Sequence, residues 1–224
     1  MSFLHRAGFF TTASSLDNLL FESQAEVAFA GRSNAGKSSV INTLANQRRL
    51  AFTSKTPGRT QQLNYFGLGD DKYLVDLPGY GYAKVQKSER ARWNVFLSAY
   101  LSTREPLAGM ILIMDARHPL TELDIQMLDW FAVTEKPVHV LLTKADKLTR
   151  NEQGATLLKV RSALNQRIGT NTVSLFSSLK KTGVEEAEAV LSRWLDIPLP
   201  VKKVNPVASA NAPYPKNAAP KNRP

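Results

Sequence analysis

The sequence predicts an α/β fold of three layers: a six-stranded, mostly parallel sheet with one antiparallel strand at its edge and helices on both faces. Two patterns carry that expectation. Short apolar runs at 27–30, 62–68, 72–76, 109–115, 138–143 and 173–176 alternate with helical periodicity at 37–45, 89–103, 121–131, 151–168 and 183–194. Strand–helix alternation of this kind builds parallel sheets covered on both faces. The two runs flanking Gly69-Asp70-Asp71 are joined too tightly for a crossover helix, so they should pair as a hairpin and supply the antiparallel strand.

The first run, Val27-Ala28-Phe29-Ala30, leads into Gly31-Arg32-Ser33-Asn34-Ala35-Gly36-Lys37-Ser38, and the amphipathic stretch from Ser39 to Leu44 follows. Glycine, four residues, then Gly-Lys-Ser between a strand and a helix is the pattern of a phosphate-cradling loop. Glycines let the backbone turn so that successive N–H groups converge on phosphate at the positive end of the helix dipole. Lys37 adds a full charge near the β- and γ-phosphates, and the Ser38 hydroxyl can ligate Mg²⁺.

Next comes a loop rich in hydroxyls, glycine and proline, Thr53-Ser54-Lys55-Thr56-Pro57-Gly58-Arg59-Thr60-Gln61. One of its threonines should close over Mg²⁺ in a triphosphate state and leave after hydrolysis. Composition does not choose among Thr53, Thr56 and Thr60. The strand Lys72-Tyr73-Leu74-Val75-Asp76 ends in Asp76-Leu77-Pro78-Gly79. An acid there can hold Mg²⁺ through water, and the Gly79 N–H can bond a γ-phosphate.

The base is addressed further on. Thr143-Lys144-Ala145-Asp146 follows the apolar run Val138-His139-Val140-Leu141-Leu142. A carboxylate at a strand end can accept from both N1–H and the exocyclic amine of guanine, whereas adenine would leave it unpaired. Lys144 can lay its aliphatic stem along the ring face. Phe176-Ser177-Ser178 ends another strand and could present backbone N–H groups to guanine O6.

Six segments together, Gly-Arg-Ser-Asn-Ala-Gly-Lys-Ser-Ser (31–39), Ser-Lys-Thr-Pro-Gly-Arg-Thr-Gln (54–61), Asp-Leu-Pro-Gly-Tyr-Gly-Tyr-Ala (76–83), Asp-Ala-Arg-His-Pro-Leu (115–120), Thr-Lys-Ala-Asp-Lys-Leu (143–148) and Phe-Ser-Ser-Leu-Lys-Lys (176–181), resemble the EngB (YihA/YsxC) family of bacterial P-loop GTPases. The resemblance covers about residues 3 to 195 and implies the Ras-like fold of that class. It implies that Ser38 and Thr60 are Mg²⁺ ligands, with Asp76 acting through water, and that Gly31 to Ser39, Gly58, Arg59, Thr60, Gln61, Gln62 and Asp76 to Gly79 hold the phosphates. It places Thr143 to Asp146 and Phe176 to Ser178 at the base. Lys37, Thr60 and Gly79 form the expected catalytic set. A role in assembling the large ribosomal subunit, and a link to cell division and septation, are likewise implied by the resemblance alone.

After Asp76-Leu77-Pro78-Gly79, Ras-like enzymes carry a glutamine that orients the attacking water. Here the residue is Tyr80, which predicts slow intrinsic hydrolysis completed by a partner, another loop or a cation. Asn34 resembles the asparagine that helps bind K⁺ in related GTPases, so K⁺ near Asn34 is one candidate, with a turn-stabilising role as its plain alternative.

Bulk properties set the remaining expectations. The 224 residues allow one domain and a tail: an N-terminal extension packed on the domain at 1–22, the nucleotide-binding domain at 23–197, and a disordered tail at 198–224. That tail holds seven of the 12 prolines, five Lys/Arg and no acid, a composition that cannot bury enough apolar surface to fold. The chain has no cysteine, hence no thiolate metal site, disulfide or lipidation site, and no 18-residue apolar run, so a cytoplasmic protein off the membrane is expected.

Net charge is +10. Basic residues flank the two loops, with Arg48, Arg49, Lys55 and Arg59 on one side and Lys84, Lys87, Arg90 and Arg92 on the other. Such a face could bind an RNA backbone in a nucleotide-dependent way, with Tyr80, Tyr82 and Trp93 available to stack; the resemblance implies that this RNA belongs to the large ribosomal subunit or its precursor. Neither DNA nor a membrane is expected as a partner, and a monomer is expected. His118 reads as a loop hydrogen-bonder, and Ser177 and Ser178 lack partners for a nucleophilic triad. Two rivals remain: an ATP-using kinase, which Asp146 disfavours, and an RNA-binding module in which the nucleotide is mainly structural.

Overall fold

The computed structural model describes residues 1–52, 62–81 and 87–200, with 87–94 described as backbone only. Seven strands form one sheet: β1 (Gly8–Ala13), β2 (Ala25–Gly31), β3 (Leu63–Gly67), β4 (Lys72–Asp76), β5 (Leu107–Asp115), β6 (Val138–Thr143) and β7 (Asn171–Leu175), in the spatial order β1-β3-β4-β2-β5-β6-β7. Among the described residues five α-helices accompany them: α1 (Lys37–Leu44), α2 (Lys87–Thr103), α3 (Glu122–Ala132), α4 (Arg150–Asn165) and α5 (Val184–Leu195).

The expected fold class is the one observed, with one strand more than the six anticipated. The strand that runs against the others is β3, as the hairpin argument required: it is antiparallel to β4 across a turn in which Gly69, Asp70 and Asp71 all have positive φ. It is not at the edge, however. Residues Gly8-Phe9-Phe10-Thr11-Thr12-Ala13 add β1 outside it, antiparallel and with a bulge between Phe9 and Thr11. This strand shows no buried–exposed alternation, because its first three residues are all exposed. Period-2 patterning therefore could not reveal it. Its anchors are aromatic contacts, Phe9 edge-on to Phe66 and Phe10 tilted against Tyr73.

Alternation along the central strands sorts the core into two layers. Val27, Phe29, Leu74, Ile111, Ile113 and Leu141 face α1 and α5, packing on Val40, Ile41, Leu44, Ala187, Leu191 and Leu195. Ala28, Ala30, Val75, Met110, Leu112, Met114, Val140 and Leu142 face the opposite way, onto Phe96, Leu97, Tyr100, Met127, Leu128, Phe131, Val160 and Leu164. Each Val, Leu, Ile, Phe or Met among them, fully buried, contributes about 1.5–3 kcal/mol of transfer free energy. Because β2, β4, β5, β6 and β7 are mutually parallel, their carboxyl ends open on the same side. The loops carrying Gly31–Ser38, Asp76–Gly79, Thr143–Asp146 and Phe176–Ser178 converge there, as ligand sites of open α/β sheets do.

Candidate functional site

The phosphate loop spans the end of β2 and the start of α1. Gly36, the residue capping α1, has φ of 105°, a conformation that needs glycine, and Asn34 sits at φ 66°. The loop is held from outside by the residues expected at the base. The Thr143 hydroxyl donates to the carbonyls of Ala35 at 2.5 Å and Met114 at 3.1 Å. Lys144 Nζ donates to the Asn34 carbonyl at 2.8 Å and lies 2.9 Å from Asp115 Oδ2. The Lys144 stem therefore stretches from the end of β6 across to the phosphate loop, the geometry needed to cover one face of a planar ring.

Lys37 Nζ is ion-paired with Asp76, so the two side chains expected at the phosphates and at Mg²⁺ meet at one point. The Ser38 hydroxyl lies at the first turn of α1 and donates to the Phe52 carbonyl at 3.3 Å. A hydroxyl, a carboxylate, an ammonium and a helix N-terminus together suit a Mg²⁺–triphosphate. Among the described residues no group of three or more His, Cys, Asp or Glu could hold a metal; a cation here would rely on Ser38 and phosphate oxygens, with Asp76 reaching it through water.

At the base side, Asp146 is aimed by Ser177, whose hydroxyl donates to Asp146 Oδ1 at 2.6 Å and accepts from the Lys180 N–H at 3.0 Å. Ser177 is fully buried. The N–H of Phe176 bonds Leu142 O and that of Ser177 bonds Thr182 O, which leaves the Ser178 N–H as the donor of the three for a guanine O6. Asp115, the partner of Lys144, also takes a bidentate pair of bonds from Arg117, at 2.9 and 2.6 Å. Burial alone would raise its pKa, but the hydrogen bonds from Arg117 and Lys144 outweigh it and hold the carboxyl well below the usual range.

Comparisons with known proteins agree with this geometry. A family model described as a 50S ribosome-binding GTPase matches residues 26–144. Among curated proteins, a probable GTP-binding protein EngB of Thiobacillus denitrificans is 62% identical over 192 residues, covering 86% of this chain and 92% of its own. Its counterpart in Methylobacillus flagellatus is 56% identical over 198 residues, covering 88% and 96%. The chain belongs to the EngB family of P-loop GTPases. In fold it is similar to a crystal structure of a probable GTP-binding protein EngB, with a TM-score of 0.61 at 18% identity over 77% of this chain and 99% of that one. It is also similar to a crystal structure of translation elongation factor SelB from Methanococcus maripaludis in its apo form, with a TM-score of 0.56 at 15% identity over 80% of this chain and 35% of that one.

As an EngB-family GTPase, the chain brings together Gly31 to Ser39, Asp76 to Gly79, Thr143 to Asp146 and Phe176 to Ser178 at one end of the sheet. Gln62 lies just before β3, exposed. Gly58, Arg59, Thr60 and Gln61 lie outside the described residues, as do Lys55, Tyr82, Lys84 and the tail from residue 201, and the side chains of Lys87, Arg90, Arg92 and Trp93. Arg32 does not turn toward the phosphate side: its guanidinium reaches the His118 carbonyl at 3.2 Å and lies 3.4 Å from Asp124 on α3. Tyr80 turns the same way, its hydroxyl donating to Asp124 at 3.0 Å. Burial next to that carboxylate pushes its phenol far above the ordinary range, so it remains a donor. Its ring packs partly against the core. Asp115 lies in the Asp-Ala-Arg-His-Pro-Leu segment, but its pairing with Lys144, like the contacts of Asp124 and of the Asn34 and Ala35 carbonyls, is announced by no single segment. The one available signal was an acid at a strand end with Arg117 two residues on.

Proposed function

We propose that this GTPase is a Mg²⁺-dependent nucleotide switch acting in assembly of the large ribosomal subunit, and through it in normal cell division and septation. The observation that carries the switch is the docking of the Asp76–Tyr80 segment on the phosphate loop, where Tyr80 N–H bonds Gly31 O at 3.3 Å and Ser33 N–H bonds Tyr80 O at 3.0 Å. A γ-phosphate binding at Ser33 and Gly79 must act on this seam. Bound Mg²⁺ would neutralise charge developing on the phosphates. Lys37 holds the β- and γ-oxygens, Asp146 and Ser178 select guanine, and Gly79 senses the third phosphate. The ribosomal reading is supported by the description of the matching family and by the +10 charge of the chain, which favours a polyanionic partner. No described helix is long and apolar enough to cross a membrane, in keeping with a cytoplasmic site of action.

Tyr80 is tethered to α3 and carries no amide, so intrinsic hydrolysis is slow and a partner or a cation completes the site. K⁺ beside Asn34 would supply that charge. Co-sedimentation with isolated large subunits, in the presence of a non-hydrolysable GTP analogue, GDP or an ATP analogue, tests the reading: binding is expected with the GTP analogue alone. Equal binding in all three, lost at high salt, would overturn it. Turnover is expected to rise with subunits and to be faster in K⁺ than in Na⁺. The tether of Tyr80 also favours one second reading, an RNA-binding module with a structural nucleotide, and absence of any acceleration by subunits would select it.

A further inference from the structure

Asp124, three residues into α3, has a fully buried side chain. One of its oxygens is accounted for by helix capping: Oδ2 accepts from Thr121 N–H at 3.0 Å and Thr121 Oγ1 at 2.8 Å, a closed capping box. The other oxygen is not needed for that. Oδ1 instead meets side chains from the two loops: it accepts from the Tyr80 hydroxyl at 3.0 Å and faces Arg32 Nε at 3.4 Å. One carboxylate thus joins α3, the phosphate loop and the residue that follows the γ-phosphate sensor.

The sensor is placed by these contacts. Gly79 lies so close to the phosphate loop that a Cβ on it would stand 3.3 Å from Ser33 N. Tyr80, its neighbour, is fixed at three points: its N–H on Gly31, its carbonyl on Ser33, and its hydroxyl on Asp124. The first two belong to the loop that itself holds phosphate. Asp124 is the anchor outside it. A donor held in place before the ligand arrives loses less entropy on binding, and a hydrogen bond to a buried carboxylate is a strong tether.

We propose that Asp124 is a positioning residue for the γ-phosphate sensor and thereby sets the preference of the site for GTP over GDP. It touches neither nucleotide nor reacting water; it acts through Tyr80 on Gly79. The inference rests on the reading that Gly79 senses the γ-phosphate. GDP makes no contact with that sensor, so loosening it weakens the triphosphate alone.

The test is equilibrium titration of the full chain with a non-hydrolysable GTP analogue and with GDP. The proteins are the wild type, Tyr80→Phe, Asp124→Asn, the double variant and Gly79→Ala. Tyr80→Phe deletes the hydroxyl tether and leaves the capping box whole. It is expected to lower affinity for the GTP analogue about tenfold with GDP affinity and thermal midpoint unchanged. Asp124→Asn is expected to act the same way, and the double variant to be no weaker than Asp124→Asn. Parallel loss of both nucleotides in these variants, a purely structural signature, would overturn the proposal. So would unchanged preference in Tyr80→Phe when Gly79→Ala loses it. Unchanged preference in Gly79→Ala would show instead that the sensor reading is wrong, and the inference would fall with it.

Discussion

Ser177 illustrates how much of the candidate site depends on one side chain holding another in place. Its buried hydroxyl bridges Asp146 and the Lys180 N–H, so the carboxylate proposed to pair with guanine is held in one rotamer. Removing that donor leaves Asp146 free to rotate and removes a bond to a charged group, a contact of about 1.5–3 kcal/mol. Ser177→Ala is therefore expected to weaken GTP and GDP about equally, by roughly tenfold, as read by titration with a fluorescent guanine nucleotide. A loss confined to GTP would contradict this assignment. The contrast with Tyr80→Phe is informative: one variant acts on the base and is blind to the third phosphate, the other acts on the third phosphate alone. Asp146 itself could be found from Thr143-Lys144-Ala145-Asp146. Ser177 as its support could not, since 31 residues of chain separate the two.

At the level of elements, the pairing of β6 with β7 contains a titratable joint. His139 on β6 is 3% exposed, and its ring nitrogens contact Thr172 Oγ1 at 2.7 Å and Ser174 Oγ at 3.0 Å on β7. Burial lowers its pKa from 6.5 to about 4. The folded state therefore binds this proton less readily than the unfolded chain. Its contribution to stability is complete above pH 6.5 and is lost as pH falls from 6.5 to about 4, by about 3 kcal/mol in all. Denaturant titrations across that window should show stability falling with acid, and His139→Gln should flatten the slope. An unchanged slope would remove His139 as its cause. The helices were legible in the sequence to within a few residues because their ends are marked locally: Thr121 and Asp124 box the start of α3, and Thr149 and Glu152 that of α4. The strand β1 carried no such mark.

Across the whole molecule, a buried network at the opposite end from the nucleotide ties three parts together. Glu26 on β2 is fully buried, accepting from Tyr100 on α2 at 2.8 Å and from Arg104 at 3.0 and 2.5 Å. Arg104 also donates to Leu20 O at 2.6 Å, bringing in the N-terminal segment. Breaking a buried pair from one side leaves an uncompensated charge, so Arg104→Met should destabilise the fold by about 3–5 kcal/mol, seen as a large drop in denaturation midpoint. Glu26→Gln combined with Arg104→Met should recover part of the loss. A change within about 0.5 kcal/mol for Arg104→Met alone would show the network to be dispensable.

The sequence by itself determined the class of the fold and the GTPase family. Both are written in short windows: Gly31 to Ser38 and Thr143 to Asp146 for the family's motifs, strand and helix periods for the layers. Local spacing suffices there because a loop that cradles phosphate, or a helix that starts at a cap, is specified by a few adjacent residues. Tertiary structure alone decided the partnerships. Lys144 reaches Asp115 and Asn34, Ser177 aims Asp146, and Asp124 gathers Tyr80 and Arg32, across separations of 29 to 110 residues fixed by the strand order. No local signal encodes such contacts, since a buried carboxylate and a surface one are spelled with the same letter until packing removes the water around one of them.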